Sequence, residues 1–402
     1  MSVHPITAQE AFLRAPHASN IASNIASNPA PHAAPELGTP KRHAPQDPAS
    51  QAKAGKGKEA AQLLPFDAII DVRSEGEFAL DHWPGAVNWP VLNNAERELI
   101  GTIYKQVGSF EAKKKGAALV AANIARHIQA HVLDLPNNWQ PLIYCWRGGK
   151  RSGSISTVLS QIGFRVHLLE GGYKSFRQGV VADIPKLIEP LRFEVICGPT
   201  GCGKTRLLQS LKSLGAQVLD LEDLANHRSS VLGFIPGSPQ PSQKHFDTLV
   251  WQTLRGFDPA RVIYVESESK KVGNLSVPVE LIEKMRQSPC RVLELSLAER
   301  VALLMEDYEF LVLDPELFIR KLEALVTLRG RALIDAWSEE TRQGRIAHVV
   351  QELLEHHYDP TYLTSMKRNF TALHEARIVS LSSRHPKPLM DAAAFILQDL
   401  PR

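Results

Sequence analysis

The chain has 402 residues, 44% of them apolar and 22% charged, with a formal net charge of +3. That length suits two or three domains, and the composition is that of an ordinary globular protein rather than a disordered or fibrous one. So small a net charge does not by itself announce a polyanionic partner, and no apolar run approaches the roughly 20 residues needed to cross a bilayer.

Residues 1–60 are rich in Ala, Pro, Ser, Asn and His, with the short echo Ser19-Asn20-Ile21-Ala22 and Ser23-Asn24-Ile25-Ala26. Apolar periodicity is too sparse there for a core, so the expectation is a disordered N-terminal extension. From Phe66 the texture changes. Phe66–Val72 and Pro141–Tyr144 read as short buried strands, and the second ends at Cys145. A helix over 152–162, Gly163 and a strand over 165–169 follow, and residues 117–133 read as an amphipathic helix. Residues 61–185 therefore form a first α/β domain.

A polar stretch over 179–190 reads as a linker. Phe193–Cys197 then gives a strand, Gly198–Thr205 a glycine-rich loop, and Lys204–Leu214 a helix stopped by Gly215. Further strands are expected over 216–221, 261–265 and 291–295, and helices nearly throughout 297–376. Residues 191–402 are thus read as a P-loop parallel-sheet domain with a helical C-terminal part.

Four cysteines in so long a chain make no disulfide framework, and no Cys/His cluster has zinc spacing. The start lacks a secretory pattern, so a reducing cytoplasm is the expected compartment, with no membrane association. Lys113-Lys114-Lys115, Lys270-Lys271 and Lys367-Arg368 read as solvated surface faces.

Chemistry concentrates in two loops. In Tyr144-Cys145-Trp146-Arg147-Gly148-Gly149-Lys150-Arg151-Ser152 a cysteine lies between a strand and a helix start. Backbone N–H groups of the Gly148-Gly149 turn and the helix N-terminus favour the thiolate. Arg147, Lys150 and Arg151 add cations, and the same cradle suits a tetrahedral oxyanion above the sulfur. Cys145 is the expected nucleophile. The second loop, Gly198-Pro199-Thr200-Gly201-Cys202-Gly203-Lys204-Thr205, matches the P-loop pattern in its strand-to-helix context. Gly198, Thr200, Gly201 and Gly203 shape a phosphate cradle, Lys204 reaches the terminal phosphate, and Thr205 has a hydroxyl able to ligate Mg²⁺. Asp220, Glu222 and Asp223, or Glu266 and Glu268, complete a metal site or are solvated strand-end carboxylates, with nothing to separate the two. No metal ligand set and no tightly bound cofactor is assigned, and no base-reading motif follows.

Asp71-Val72-Arg73-Ser74-x-x-Glu77-Phe78, His82-x-Pro84-Gly85-Ala86-x-Asn88 and the Cys145 loop together resemble a rhodanese domain. The five residues between Cys145 and Arg151 are one more than in the common sulfurtransferase loop, similar to rhodanese-like phosphatases, and fit a larger anion. A rhodanese unit followed by a P-loop unit resembles the tRNA 2-selenouridine synthases. Leu92–Arg97, Tyr104-Lys105-Gln106, Glu170–Lys174, Asp220–Arg228 and Tyr358-Asp359-Pro360-x-Tyr362 extend the likeness across residues 67–362. The resemblance implies a tRNA carrying 2-thiouridine at the wobble position as substrate. It also implies selenophosphate as selenium donor, geranyl diphosphate as the source of an S-geranyl intermediate, and Cys145 as selenium carrier. The P-loop is then expected to hold the geranyl diphosphate, and a basic track through Arg147, Arg177, Arg228 and Lys270-Lys271 to bind the tRNA. An ATP-dependent tRNA sulfurtransferase and a rhodanese-like phosphatase or phosphate-binding module are the alternatives.

Overall fold

The computed structural model describes residues 3–15, 65–228 and 233–399. Two parallel sheets carry the chain. In the first domain come β1 (His4–Ile6), α1 (Ala8–Arg14), β2 (Ala68–Asp71), α2 (Glu75–Leu80), β3 (Val87–Asn88) and the long helices α3 (Asn94–Gln106) and α4 (Ser109–His131). After them come β4 (Pro141–Tyr144), α5 (Lys150–Ile162), β5 (His167–Leu169) and α6 (Gly172–Ile188). Its strands lie in the order β1-β5-β4-β2-β3.

The P-loop domain starts with β6 (Arg192–Cys197), α7 (Lys204–Ser213), β7 (Gln217–Leu219), α8 (Leu221–Leu224) and α9 (Gln243–Arg255). It continues through β8 (Val262–Glu266), the hairpin β9 (Lys271–Val272) and β10 (Leu275–Ser276), α10 (Val279–Gln287), β11 (Cys290–Glu294) and α11 (Leu297–Asp307). Helical segments occupy most of 309–375, then β12 (Arg377–Ser380) returns to the sheet edge and a last helix, Pro386–Gln398, packs on α7. The strand order is β12-β11-β6-β8-β7. Both sheets are parallel throughout, and most of their strand positions are buried, as expected for strands covered on both faces. No described helix is long and apolar enough to cross a membrane.

For residues 3–15 the structure corrects the expectation of a disordered extension. Residues 16–60 lie outside the described residues, but β1 pairs with β5 and α1 follows directly, closed by a Thr7–Glu10 capping box. Phe12 packs against Trp83 at 5.1 Å, Trp251 at 4.8 Å and Phe176 at 6.0 Å between ring centroids, so rings from both domains surround it. Arg255 donates to the Phe12 carbonyl at 2.7 Å, and a Cβ on Gly179 would lie 2.8 Å from the Phe12 ring.

The expected linker at 179–190 is mostly helix. Phe176, Val180, Ile184 and Ile188 recur every four residues along α6 and are buried with Phe246, Val250, Trp251 and Leu254 of α9 in one core common to both domains. The polar residues between them, not that stripe, made the segment read as a linker. Trp251 Nε1 donates to Asp183 at 2.9 Å, and Arg177 pairs with Asp247 across the same contact. Phe12→Ala is therefore expected to cost about 3–5 kcal/mol, as for other buried aromatic truncations. Urea unfolding reads this directly, and a loss below about 1 kcal/mol would mean that α1 is not part of the core.

Candidate active site

Cys145 follows the last residue of β4, and α5 begins at Lys150. Its buried sulfur accepts from the Gly149 amide at 3.3 Å and from the Ser152 hydroxyl at 3.1 Å. Burial alone would raise the thiol. The Ser152 hydroxyl and the amides of Ser152, Arg147 and Gly149 outweigh it and hold the Cys145 thiol below the ordinary value. Backbone dipoles and one hydroxyl thus favour the thiolate. Ser152 stands in the quoted loop, but only the helical turn brings its Oγ back to the sulfur.

The loop rests on the next glycine turn. Tyr173 and Lys174 amides donate to the Cys145 and Trp146 carbonyls at 2.8 and 3.1 Å. Gly172 has φ +58°, and a Cβ there would lie 2.2 Å from the Cys145 carbonyl oxygen, so the Glu170-Gly171-Gly172-Tyr173 segment is needed for the loop to close. Arg147 and Lys150 are exposed and make no side-chain hydrogen bond or ion pair among the described residues, so both are available to an incoming anion. Arg151 differs from expectation: its guanidinium donates to Glu77 at 2.7 and 3.3 Å, and Glu77 also pairs with Arg97 at 3.1 Å. Arg151 is thereby tied to α2.

Residues distant in sequence complete the rim. Trp146 stacks on Tyr173 with centroids 5.3 Å apart, and Lys244 of α9 sits 5.8 Å from the Trp146 ring centre. The P-loop domain therefore reaches the edge of the cysteine loop. The Asp71-Val72-Arg73-Ser74 motif works from below, where buried Arg73 pairs with Asp71 at 2.6 Å and lies 3.9 Å from the Tyr173 ring centre.

Because the thiol is depressed, its protonation on acidification opposes folding. The stabilisation from the thiolate is complete above the unfolded-chain value and is lost as pH falls through the folded one. Ser152→Ala removes one donor, so the midpoint of Cys145 alkylation by iodoacetamide is expected to move up by about 1 pH unit, given about 1.4 kcal/mol per unit and 1.5–3 kcal/mol for a charged hydrogen bond. An unmoved midpoint would show that the amides suffice.

In the second loop Gly198, Gly201 and Gly203 have φ of +149°, +77° and +90°. A Cβ at 198 would meet the Cys202 sulfur at 2.5 Å, which explains both residues: Cys202 fills the space beneath the turn. Lys204 Nζ donates to the Gly198 carbonyl at 2.8 Å, and Tyr362 Oη accepts from the Gly198 amide at 2.5 Å. Burial opposes the Lys204 charge, but Cys202, Tyr362, Glu222 and Glu266 overcome it and raise the ammonium above its usual value. Arg300 ties Thr200 to Asp359 through bonds of 2.6–2.9 Å, fixing the loop to the C-terminal helices.

Thr205 Oγ1 donates to Glu222 at 3.2 Å. Glu222, Glu266 and Glu268 offer oxygens all within 4.8 Å of one another, so the structure gathers carboxylates from both alternatives left open by the sequence. Glu266 is fully buried, and its Oε2 has no hydrogen-bond partner. Burial, then the neighbouring Glu222, Glu268 and Asp220, push its carboxyl well above the usual range. An oxygen so placed suits a hard divalent cation beside Thr205.

These groups line a cavity of about 380 Å³, together with Arg228, Arg286, Tyr358 and Tyr362. A mostly apolar slot of about 40 Å³ formed by Leu304, Met305, Leu311, Phe318, Ile346, Val350 and Leu353 adjoins it, with Thr200, Leu304, Tyr308 and Tyr358 common to both. The sequence pattern marked these segments as helical but not that they leave an apolar slot beside the P-loop. Two members of the expected basic track have partners within the chain. Arg177 is paired with Asp247 between the domains, and Arg228 donates to the Asp307 carbonyl while stacking on Tyr308. Cys197 and Cys290 are buried next to each other in the core.

Residues 48–178 match the rhodanese-like domain model, and residues 191–317 match the model of the tRNA 2-selenouridine synthase AAA domain. The first match leaves out β1 and α1. A tRNA 2-selenouridine synthase of Nitrosomonas europaea is 38% identical over 244 residues, covering 60% of this chain and 63% of its own length. One of Nitrosomonas eutropha is 32% identical over 348 residues, covering 75% of this chain and 88% of its own. Another, of Alcanivorax borkumensis, is 33% identical over 331 residues, covering 80% and 88%.

Proposed function

This chain belongs to the tRNA 2-selenouridine synthase family, and on that premise we propose that it replaces the sulfur of wobble 2-thiouridine in tRNA with selenium, through an S-geranyl intermediate. The uridine sulfur attacks C1 of geranyl diphosphate, the C1–oxygen bond breaks, and diphosphate departs into the P-loop. Lys204 and the Gly201–Gly203 amides stabilise the charge that develops there. In the second stage selenophosphate is held at the Cys145 loop, where Arg147, Lys150 and the Gly148-Gly149 turn attract its anion. Its selenium replaces sulfur at C2 of the uridine, geranylthiol leaves, and water takes the phosphoryl group as phosphate, so no oxidant is needed.

The observation that carries this reading is the mostly apolar slot adjoining the phosphate cradle at Thr200. A diphosphate with a hydrocarbon tail matches a polar cradle beside a mostly apolar slot, and because the slot itself holds only about 40 Å³ the tail would lie partly in the adjoining cavity of about 380 Å³. Thr205, Glu222, Glu266 and Glu268 would hold Mg²⁺, which would neutralise diphosphate charge when bound.

The same carboxylates favour one competing reading, a metal-bound nucleotide that activates the tRNA for sulfur transfer. Mass spectrometry of nucleosides from thio-tRNA incubated with geranyl diphosphate, then selenophosphate, separates the two. Geranylthio- and then seleno-nucleoside without ATP is the expected result. A requirement for ATP, or phosphate release with unaltered tRNA, would overturn it.

A further inference from the structure

One surface remains that neither loop uses. Helices α3 and α4 fold back on each other as a hairpin between β3 and β4, with a Cβ on Gly116 facing Ile100 at 3.6 Å. At its tip Tyr104, Val107 and Phe110 are 61%, 67% and 69% exposed. Water-facing aromatics this close together are unusual without a partner. Between residues 99 and 116 four lysines stand against one acid, Glu111. Glu111 pairs with Lys114, whose ammonium also lies 5.2 Å from the Phe110 ring centre. Lys105, Lys113 and Lys115 are exposed with no acidic partner among the described residues.

We propose that this hairpin tip is the arm that docks the tRNA, its lysines on backbone phosphates and Tyr104 and Phe110 against unstacked bases. The proposal rests on the tRNA reading above. Sequence alone had assigned Lys113-Lys114-Lys115 to a solvated face. What changes that is their grouping with Lys105 and two exposed rings on one tip, the combination by which single-stranded segments are held. The arm also starts at the chemistry. Arg97 near its base and Arg151 of the cysteine loop hold the same Glu77 carboxylate. At about 1.5 Å per residue, α3 then carries the tip about 14 Å from that point.

The test is thio-tRNA binding by the full chain between 50 and 200 mM salt. Replacing Lys105, Lys113 and Lys115 together by Gln is expected to weaken binding at least tenfold and to reduce the log–log salt slope by about 2–3. Phe110→Ser is expected to weaken binding about fivefold or more with the slope unchanged. In both variants the rate of Cys145 alkylation should match the wild type, which shows the domain intact. Unchanged affinity and slope in variants of a tRNA-binding wild type would overturn the arm alone. A wild type that fails to bind thio-tRNA at any salt would instead overturn the functional reading beneath it. A wild-type dimer that Phe110→Ser dissolves, with tRNA affinity unaltered, would give this face to a second copy and also end the proposal.

Discussion

Cys145→Ser is expected to abolish selenium incorporation, by about 10³-fold or more, while S-geranylation of thio-tRNA continues. The sulfur is buried and receives the Gly149 amide and the Ser152 hydroxyl, and its thiol is depressed by them. A serine oxygen fits the same space and can accept the same donors, so the loop should hold its shape. It remains protonated, however, and cannot supply the thiolate of the selenation step. Nucleoside mass spectrometry after sequential addition of geranyl diphosphate and selenophosphate reads both stages in one sample. The expected pattern is accumulation of the geranylthio-nucleoside. Selenation persisting within tenfold of wild type would remove Cys145 from that step.

Lys204→Ala is expected to have the complementary effect, lowering geranylation about 10²–10³-fold with selenation of pre-geranylated tRNA retained. Lys204 closes onto the Gly198 carbonyl, and Glu222 and Glu266 are among the groups that raise its ammonium. Its removal leaves the cavity with Glu222, Glu266 and Glu268 and less positive charge to receive diphosphate. The sign follows for Glu266, whose carboxyl, already raised by burial, loses an opposing cation and rises further. Undiminished geranylation would place diphosphate binding elsewhere. An unchanged Cys145 alkylation midpoint serves as the check that the other domain is undisturbed.

The two variants separate two loops that sequence inspection had already singled out. Cys145 with its glycine turn, and Gly198–Thr205 after a strand, are local patterns whose chemistry depends on neighbours a few residues away. The inner strands of both sheets were legible for the same reason, short buried runs alternating with helices over contiguous stretches, whereas the edge strands β1, β3 and β12 were not. Where reasoning from the chain failed, the partners were remote. Phe12 reads as one aromatic in a sparse tail, yet its ring contacts include Trp83, Phe176 and Trp251. The stripe at Phe176, Val180, Ile184 and Ile188 was visible in principle, but its meaning needed α9 on the other side. Arg151 reads as an anion ligand until Glu77 is found beside it.

By itself, then, the sequence located the cysteine loop and the glycine-rich P-loop, the α/β class of both domains and their order. These follow from backbone conformation and short-range charge, which a few adjacent residues dictate. Only the tertiary structure decided that the domains have a common core and that residues 3–15 belong to it. It also decided that Glu266 leaves a buried oxygen without a partner, and that a mostly apolar slot adjoins the phosphate cradle. Each of those depends on burial and on contacts between segments far apart in the chain, quantities that no local pattern encodes.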